Sequence, residues 1–292
     1  MALLLFITFL WSTGFIFAKA LIDTLPVSVV FTIRFGLSLA MFYALFRKKI
    51  VINRSTFKAG LLIGSVNAVA MILLFIGLQF TTASNSAFLT SVFIVVLPFL
   101  ELRYYHQKPT ALIGIGVLLA CAGIYLMAVA AGSGFVINTG DLLTVLCGVI
   151  FAYQIFFITH YSAKENTYGL ITMQFGVNTI AGFLLFLGYD IIGKGFVPNM
   201  VALAEPKIIA ALVAFAILAT FIPFALQFKV QKLVSASVAG LAYVSEPVFA
   251  VILAILILHE MPSSRQWWGI GLIMASLVAA HYSFKPKTEE SE

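Results

Sequence analysis

Ten stretches of about 20 largely apolar residues follow one another with only short breaks between them: 2–22, 27–46, 58–80, 83–102, 110–130, 141–160, 169–189, 206–228, 235–258 and 265–283. A helix rises 1.5 Å per residue, so each stretch crosses the roughly 30 Å apolar core of a bilayer. The chain is 62% hydrophobic and 10% charged, against about half apolar and a quarter charged in a soluble domain. An all-α integral membrane protein of ten transmembrane helices is therefore expected. Prolines fall at the breaks: Pro26, Pro109 and Pro206 precede or open helices, and Pro262 lies in the last turn.

The net charge of +6 points to loops rather than to a nucleic-acid partner. Twelve of the 17 basic residues lie in the loops after even-numbered stretches and in the tail, among them Arg47, Lys48, Lys49, Arg103, Lys108 and Lys232. Three lie in odd-numbered loops: Lys194, Lys207 and Arg265. This positive-inside bias places both termini in the cytoplasm, as an even helix count requires. No basic region precedes the first apolar run, so that run is read as a helix and not as a cleaved signal. Residues 284–292 form a short charged tail, expected to be disordered.

Catalytic signatures are missing. There is no Walker A motif, no Gly-x-Ser-x-Gly and no zinc triad. Cys121 and Cys147 stand alone in apolar runs, and the four histidines lack metal-ligand spacing. Neither an enzyme nor a bound cofactor or metal is expected.

The sequence repeats itself. "TIRFGLS" from Thr32 matches "TMQFGVN" from Thr172 at a shift of 140, with Arg34 falling on Gln174 and Trp11 on Phe151. "GIGVLLACAG" from Gly114 matches "GIGLIMASLV" from Gly269 at a shift of 155. Five helices per copy is an odd number, so the second copy must be inverted. Inverted repeats of this kind build secondary transporters, with the substrate near the midplane between the halves. The expected division is 1–130, 141–283 and the tail.

Four stretches together, "FLWSTGFIFAK", "IRFGLS", "TTASNSAFLTSVFIVVLPF" and "ASVAGLAYVSEPVFAVILAILILHEMPSSRQWWGIGLIMAS", resemble the EamA type of the drug/metabolite transporter superfamily. The resemblance covers nearly the whole chain. It implies a ten-helix bundle with helices 1–4 and 6–9 around a central cavity and helices 5 and 10 at the periphery. It also implies a proton-coupled exporter of amino acids or other metabolites. One departure stands out: the glutamate expected at the end of the fourth helix, matching Glu260, is replaced by "LRYYHQ".

Charged residues at a helix centre cost about 2.5–3.5 kcal/mol on insertion scales, so they usually face a cavity or a partner. Glu101, near a helix end, is read as interfacial. Lys19 and Arg34 lie at similar depth and are candidates to draw an anionic group, or else to snorkel and to pair with helix-end carbonyls. Glu246, near the middle of the ninth stretch, is the candidate proton-coupling group, or else a fixed hydrogen-bond donor. Pro247 beside it lacks a backbone N–H and is expected to kink the helix. At the 155 shift Glu246 and Pro247 match Ser91 and Val92, so the first half is expected to have neither the acid nor the kink. Further candidates for substrate contact are Trp11, Ser12, Asn67, Asn85, Ser91, Tyr153, Gln154 and Tyr243. Gly116-x3-Ala120 and Gly271-x3-Ala275 are spaced for close packing of the fifth and tenth helices, or for a homodimer rather than a monomer.

The expectation is a secondary transporter in a bacterial inner (plasma) membrane, surrounded by lipid, moving a small amphipathic metabolite, with protons as a possible second partner. An anion or sugar-phosphate exchanger using Lys19 and Arg34 is the alternative within the class. A non-transporting receptor or scaffold is the alternative outside it.

Overall fold

Asparagines and prolines set the helix starts. The Asn53 side chain accepts from the Thr56 backbone N–H at 2.7 Å, so the third helix begins at Arg54 and not at residue 58. Asn138 and Asp141 form a reciprocal capping box, and Asn166 accepts from Gly169 N–H at 2.7 Å. Pro206 opens its helix at a position where a missing N–H costs nothing. The structure is a computed structural model; it describes residues 1–81, 83–106, 108–130, 138–193, 203–253, 255–256 and 261–283, with side chains except at 15, 19, 83–85 and 128–130.

The elements are α1 (Ala2–Ile22), α2 (Val27–Phe46), α3 (Arg54–Gly77), α4 (Ala83–Thr90), α5 (Phe93–Tyr105), α6 (Ala111–Ala130), α7 (Thr139–Tyr161) and α8 (Thr167–Leu185). A π-helical turn, Phe186–Gly193, prolongs α8. Then come α9 (Pro206–Ala216), a second π-helical turn (Ile217–Phe221), α10 (Ile222–Gln231), α11 (Ala236–Tyr243), α12 (Glu246–Leu253) and α13 (Ser264–Ser283). No strand occurs among the described residues. Eight helical stretches are long and apolar enough to cross a membrane. With α6 and α13 packed along each other they make ten spans, because α4–α5, α9–α10 and α11–α12 each form one.

The packing obeys the inverted repeat. α3 packs on α7 and α8, and its counterpart α9–α10 packs on α1 and α2. α4 and α5 pack on α7, and α11 and α12 pack on α1. α2 meets α8, and α6 meets α13, each against its own image. Exchanging the two halves therefore returns the same set of contacts.

Helices in lipid associate through close packing, not through a hydrophobic drive. Where α6 crosses α13, a Cβ on Gly123 would lie 2.7 Å from the Gly269 carbonyl. Gly116 and Ala120 are buried, but Gly271 and Ala275 face outward with nothing within 4 Å of a Gly271 Cβ. The close crossing thus uses Gly123 and Gly269, not the second small-residue pair expected above.

The ninth span breaks at Val244–Ser245, and α12 resumes with Pro247 as its second residue. The fourth span breaks as well, at Ser91–Val92, against the expectation of a continuous first-half helix. No proline sits at that point. Instead Thr90 and Ser91 turn their hydroxyls onto the carbonyls of Ser86 and Ala87, at 2.6 and 3.0 Å. Gly148 of α7 approaches so closely that a Cβ there would lie 2.4 Å from the Thr90 carbonyl. At the 140 shift Gly148 is the image of Thr8, whose hydroxyl meets Ser245 at 2.9 Å at the other break. Both breaks are docking points for the first helix of the opposite half.

Candidate functional site

A cavity lies between the halves. α1 contributes Trp11, Gly14 and Ala18, α3 contributes Met71 to Leu78 in part, and α7 contributes Phe151, Gln154 and Ile155. Arg34, Thr90, Phe93, Phe215, Ala219, Phe224, Gln227, Tyr243 and Glu246 complete it. No residue of α6 or α13 lines it. It runs from Trp11, midway along α1, toward Ala18 and Leu78 at the face opposite the basic loops. About 80 Å³ is open to the centres of water-sized molecules; one water needs about 10–15 Å³ on that measure, so there is room for a small solute.

Arg34 marks one end. It is 4% exposed on α2 and reaches the π-helical turn of the eighth span. Its Nε donates to Thr220 Oγ1 at 2.5 Å and its Nη2 to the Ala219 carbonyl at 3.2 Å. Pro223 explains why that carbonyl is free. In a regular helix residue 223 would donate to residue 219, but proline has no N–H. The freed carbonyl and the wide turn around it are what the guanidinium takes. Its flat face lies over Phe215, 4.2 Å from the ring centre, with Phe35 and Phe75 at 5.0 and 5.7 Å. A hydroxyl, a carbonyl and three rings hold it, and none of them carries a formal negative charge.

Glu246 marks another part of the wall. It is the first residue of α12, directly after the break, where the helix dipole favours a carboxylate. It is half-buried, with its remaining surface on the cavity. Between these two groups the wall is aromatic and amide. The Trp11 ring packs edge-on to Tyr243 and Phe224, with centroids 5.0 and 5.8 Å apart. Trp11 Nε1, Gln154 Nε2, the Tyr243 hydroxyl and both polar atoms of Gln227 have no hydrogen-bond partner in the protein. Gln227 lies beside the Tyr243 hydroxyl, yet the pair does not reach hydrogen-bond geometry. The cavity thus offers a cation, a carboxyl, several open donors and acceptors, and aromatic faces.

Of the residues singled out from the sequence, Trp11, Arg34, Gln154, Tyr243 and Glu246 line this cavity. The others do not. Ser12 is buried and spends its hydroxyl on the Phe9 carbonyl at 2.7 Å, and Ser91 does the same with Ala87. Tyr153 is 38% exposed on the outer side of α7. Asn67 is fully buried but lies outside the cavity wall. The side chains of Lys19 and Asn85 lie outside the described residues, as do Glu260 and the tail. Pro247 is buried behind Glu246. Glu101 is more than interfacial: its carboxylate accepts from the Ala236 backbone N–H at 2.7 Å and from the Ser237 hydroxyl, and so joins α5 to the start of α11. Gln227 and Phe151 were not among the candidates. Gln227 could have been found as an amide one turn after Pro223, and Phe151 as the image of Trp11. Among the described residues no group of histidine, cysteine or acidic side chains is arranged to hold a metal.

The profile of the EamA-like transporter family matches residues 1–129 and again 138–281. A relative described as an uncharacterized transporter, from Archaeoglobus fulgidus, is 28% identical over 272 residues, spanning 93% of this chain and 82% of that one. A solved crystal structure of a protein 17% identical superposes with a TM-score of 0.76, covering 97% of this chain and 96% of the other, and shares the fold. A multi-pass membrane bundle of two inverted halves around a central cavity, matched twice by one profile, belongs to the EamA-like transporter family.

Proposed function

We propose that the chain is a secondary transporter that carries a small amphipathic metabolite, an amino acid or a related compound, out of the cytoplasm by alternating access. The observation that carries this reading is the cavity wall: Arg34 and Glu246 in one apolar, aromatic space with open amides between them. A carboxylate on the solute suits Arg34, an ammonium suits Glu246, and an apolar side chain suits Trp11 and Tyr243. The halves divide near residues 130–141 and rock against each other around this space. The basic loops face the cytoplasm and the bundle sits in a plasma membrane. Anion exchange is less well supported, because Arg34 is the one cation on the cavity wall among the described residues.

Glu246 also serves as the proton-coupling group. The test begins with a thermal-shift screen of purified protein against amino acids, amines and organic anions, followed by flux of any stabilising solute in proteoliposomes. Glu246→Gln should abolish flux driven by a pH gradient while solute exchange survives. Unchanged gradient-driven flux would remove the coupling role, and a purified protein that moves none of the three classes would remove the substrate assignment.

A further inference from the structure

The most deeply buried polar groups outside the cavity lie toward the basic face. Gln174 and Asn178 on α8 and Asn67 on α3 are fully buried. Both polar atoms of Gln174 and of Asn67, and Oδ1 of Asn178, have no partner in the protein. Leaving a buried polar group unpaired costs about 1–3 kcal/mol. A native fold that keeps several together needs something that completes them.

These residues are the image of the Arg34 end of the cavity. At the 140 shift Arg34 becomes Gln174 and Ser38 becomes Asn178. Ser38 donates to the carbonyls of Arg34 and Ala216, at 2.9 and 3.0 Å. Asn178 Nδ2 donates to the carbonyls of Gln174 and Gly64, at 2.7 and 3.4 Å. The same bonds are made twice, which sets Gly64 against Ala216, a shift of 152. That shift carries Ala219 onto Asn67 and Pro223 onto Met71. With Met71 in place of proline, α3 remains regular, and no carbonyl is freed at Asn67. Arg34 finds a carbonyl in a π-helical turn; Gln174 finds none, and its amide stays open.

In an inverted-repeat transporter, exchanging the conformations of the two halves converts a cavity open at one face into one open at the other. The same exchange converts the Arg34 end into the Gln174 end. We propose that Gln174, Asn178 and Asn67 form a second solute subsite, which binds the polar head of the transported solute through uncharged hydrogen bonds when the cavity opens to the basic face. This rests on the transport reading above. The two ends then differ in kind: a carboxylate meets a guanidinium at one and only amide dipoles at the other.

The test uses the full chain in vesicles, with Cys121 and Cys147 replaced by alanine, and a membrane-impermeant cationic methanethiosulfonate as probe. Gln174→Cys reports on the proposed subsite and Thr90→Cys on the cavity. Glu101→Cys with Ser237→Cys, whose side chains meet in the structure, forms a disulfide that locks the basic face shut. Gln174→Cys should react from the basic face, and the lock should slow it about tenfold or more, as expected when a minor open state is removed. Thr90→Cys should react faster from the opposite face once locked. If Thr90→Cys responds to the lock while Gln174→Cys never reacts, or reacts equally with the lock on and off, the subsite is overturned and transport stands. If neither reporter responds to the lock, both readings fall. Gln174→Leu supplies a second measurement, because it removes the unpaired amide. It should raise Thr90→Cys labelling from the opposite face by about tenfold; unchanged labelling overturns the subsite.

Discussion

Replacing Glu101 by alanine should loosen the start of α11. The Glu101 carboxylate accepts two hydrogen bonds there, from the Ala236 N–H at 2.7 Å and from the Ser237 hydroxyl. Bonds to a charged acceptor contribute about 1.5–3 kcal/mol each when buried. Glu101 is half-exposed at the basic face, so solvent replaces part of this, and about 2 kcal/mol is a reasonable net loss for the pair. The Ser235 side chain still accepts from Val238 N–H at 3.2 Å in the variant, so the helix start survives as a structure. A loss of that size should speed local opening about thirtyfold. Hydrogen–deuterium exchange over residues 236–239 reads it directly. Glu101→Gln keeps an acceptor but not the charge, and should cost about 1 kcal/mol, or about fivefold. Equal protection in Glu101→Ala and the parent would refute the reasoning, as would Glu101→Gln being as damaging as alanine.

Two further outcomes follow from printed geometry. Gly148→Ala should lower the melting temperature, because its Cβ would meet the Thr90 carbonyl at 2.4 Å and force α7 off the fourth-span break, at a cost of about 1–3 kcal/mol. Gly176→Ala, with nothing within 4 Å, should leave the melting temperature unchanged or raise it. Glu165, in the loop between α7 and α8, accepts from the Ser55 and Thr56 hydroxyls at 2.5 and 2.6 Å, and these bonds hold its carboxyl below the usual carboxylate range. A depressed carboxyl stabilises the fold above its unfolded-state pKa, and that contribution disappears as pH falls through the folded-state value. A double variant Ser55→Ala, Thr56→Val should therefore be less stable than the parent near neutrality and converge with it in acid, measured as melting temperature against pH. A constant gap down the acid limb would show that the carboxylate plays no part.

The spans, the repeat and five of the cavity residues were legible in the sequence, because hydropathy and intramembrane polarity survive any packing arrangement. Facing was harder. Tyr153 and Gln154 are adjacent, and one helical step of about 100° sends the first outward and the second inward. Composition alone does not say which. Ser12 and Ser91 looked available, but hydroxyls in a helix readily return to a carbonyl of the previous turn. The break at Ser91–Val92 had no proline to announce it. Its cause lies 57 residues away in sequence, at Gly148, so only the repeat relation to Thr8 and Ser245 could have hinted at it. Glu101 looked like a snorkelling side chain because its partners, Ala236 and Ser237, belong to the other half.

The defect at Pro223 has a consequence for how such a chain can change over generations. Arg34 and the Ala219 carbonyl it holds are 185 residues apart, and the proline that frees the carbonyl lies four positions further on. Regaining an N–H at 223 would close the ordinary bond to Ala219 and leave the guanidinium short of an acceptor in an apolar place. Losing Arg34 first would leave a bare carbonyl facing three phenylalanine rings. Neither single step is comfortable, so the two codons should be inherited as a unit: lineages that keep the arginine keep the proline, and lineages that lose one lose both. The second half of the chain, where Gln174 faces Met71's regular helix, shows what the same scaffold looks like with both absent.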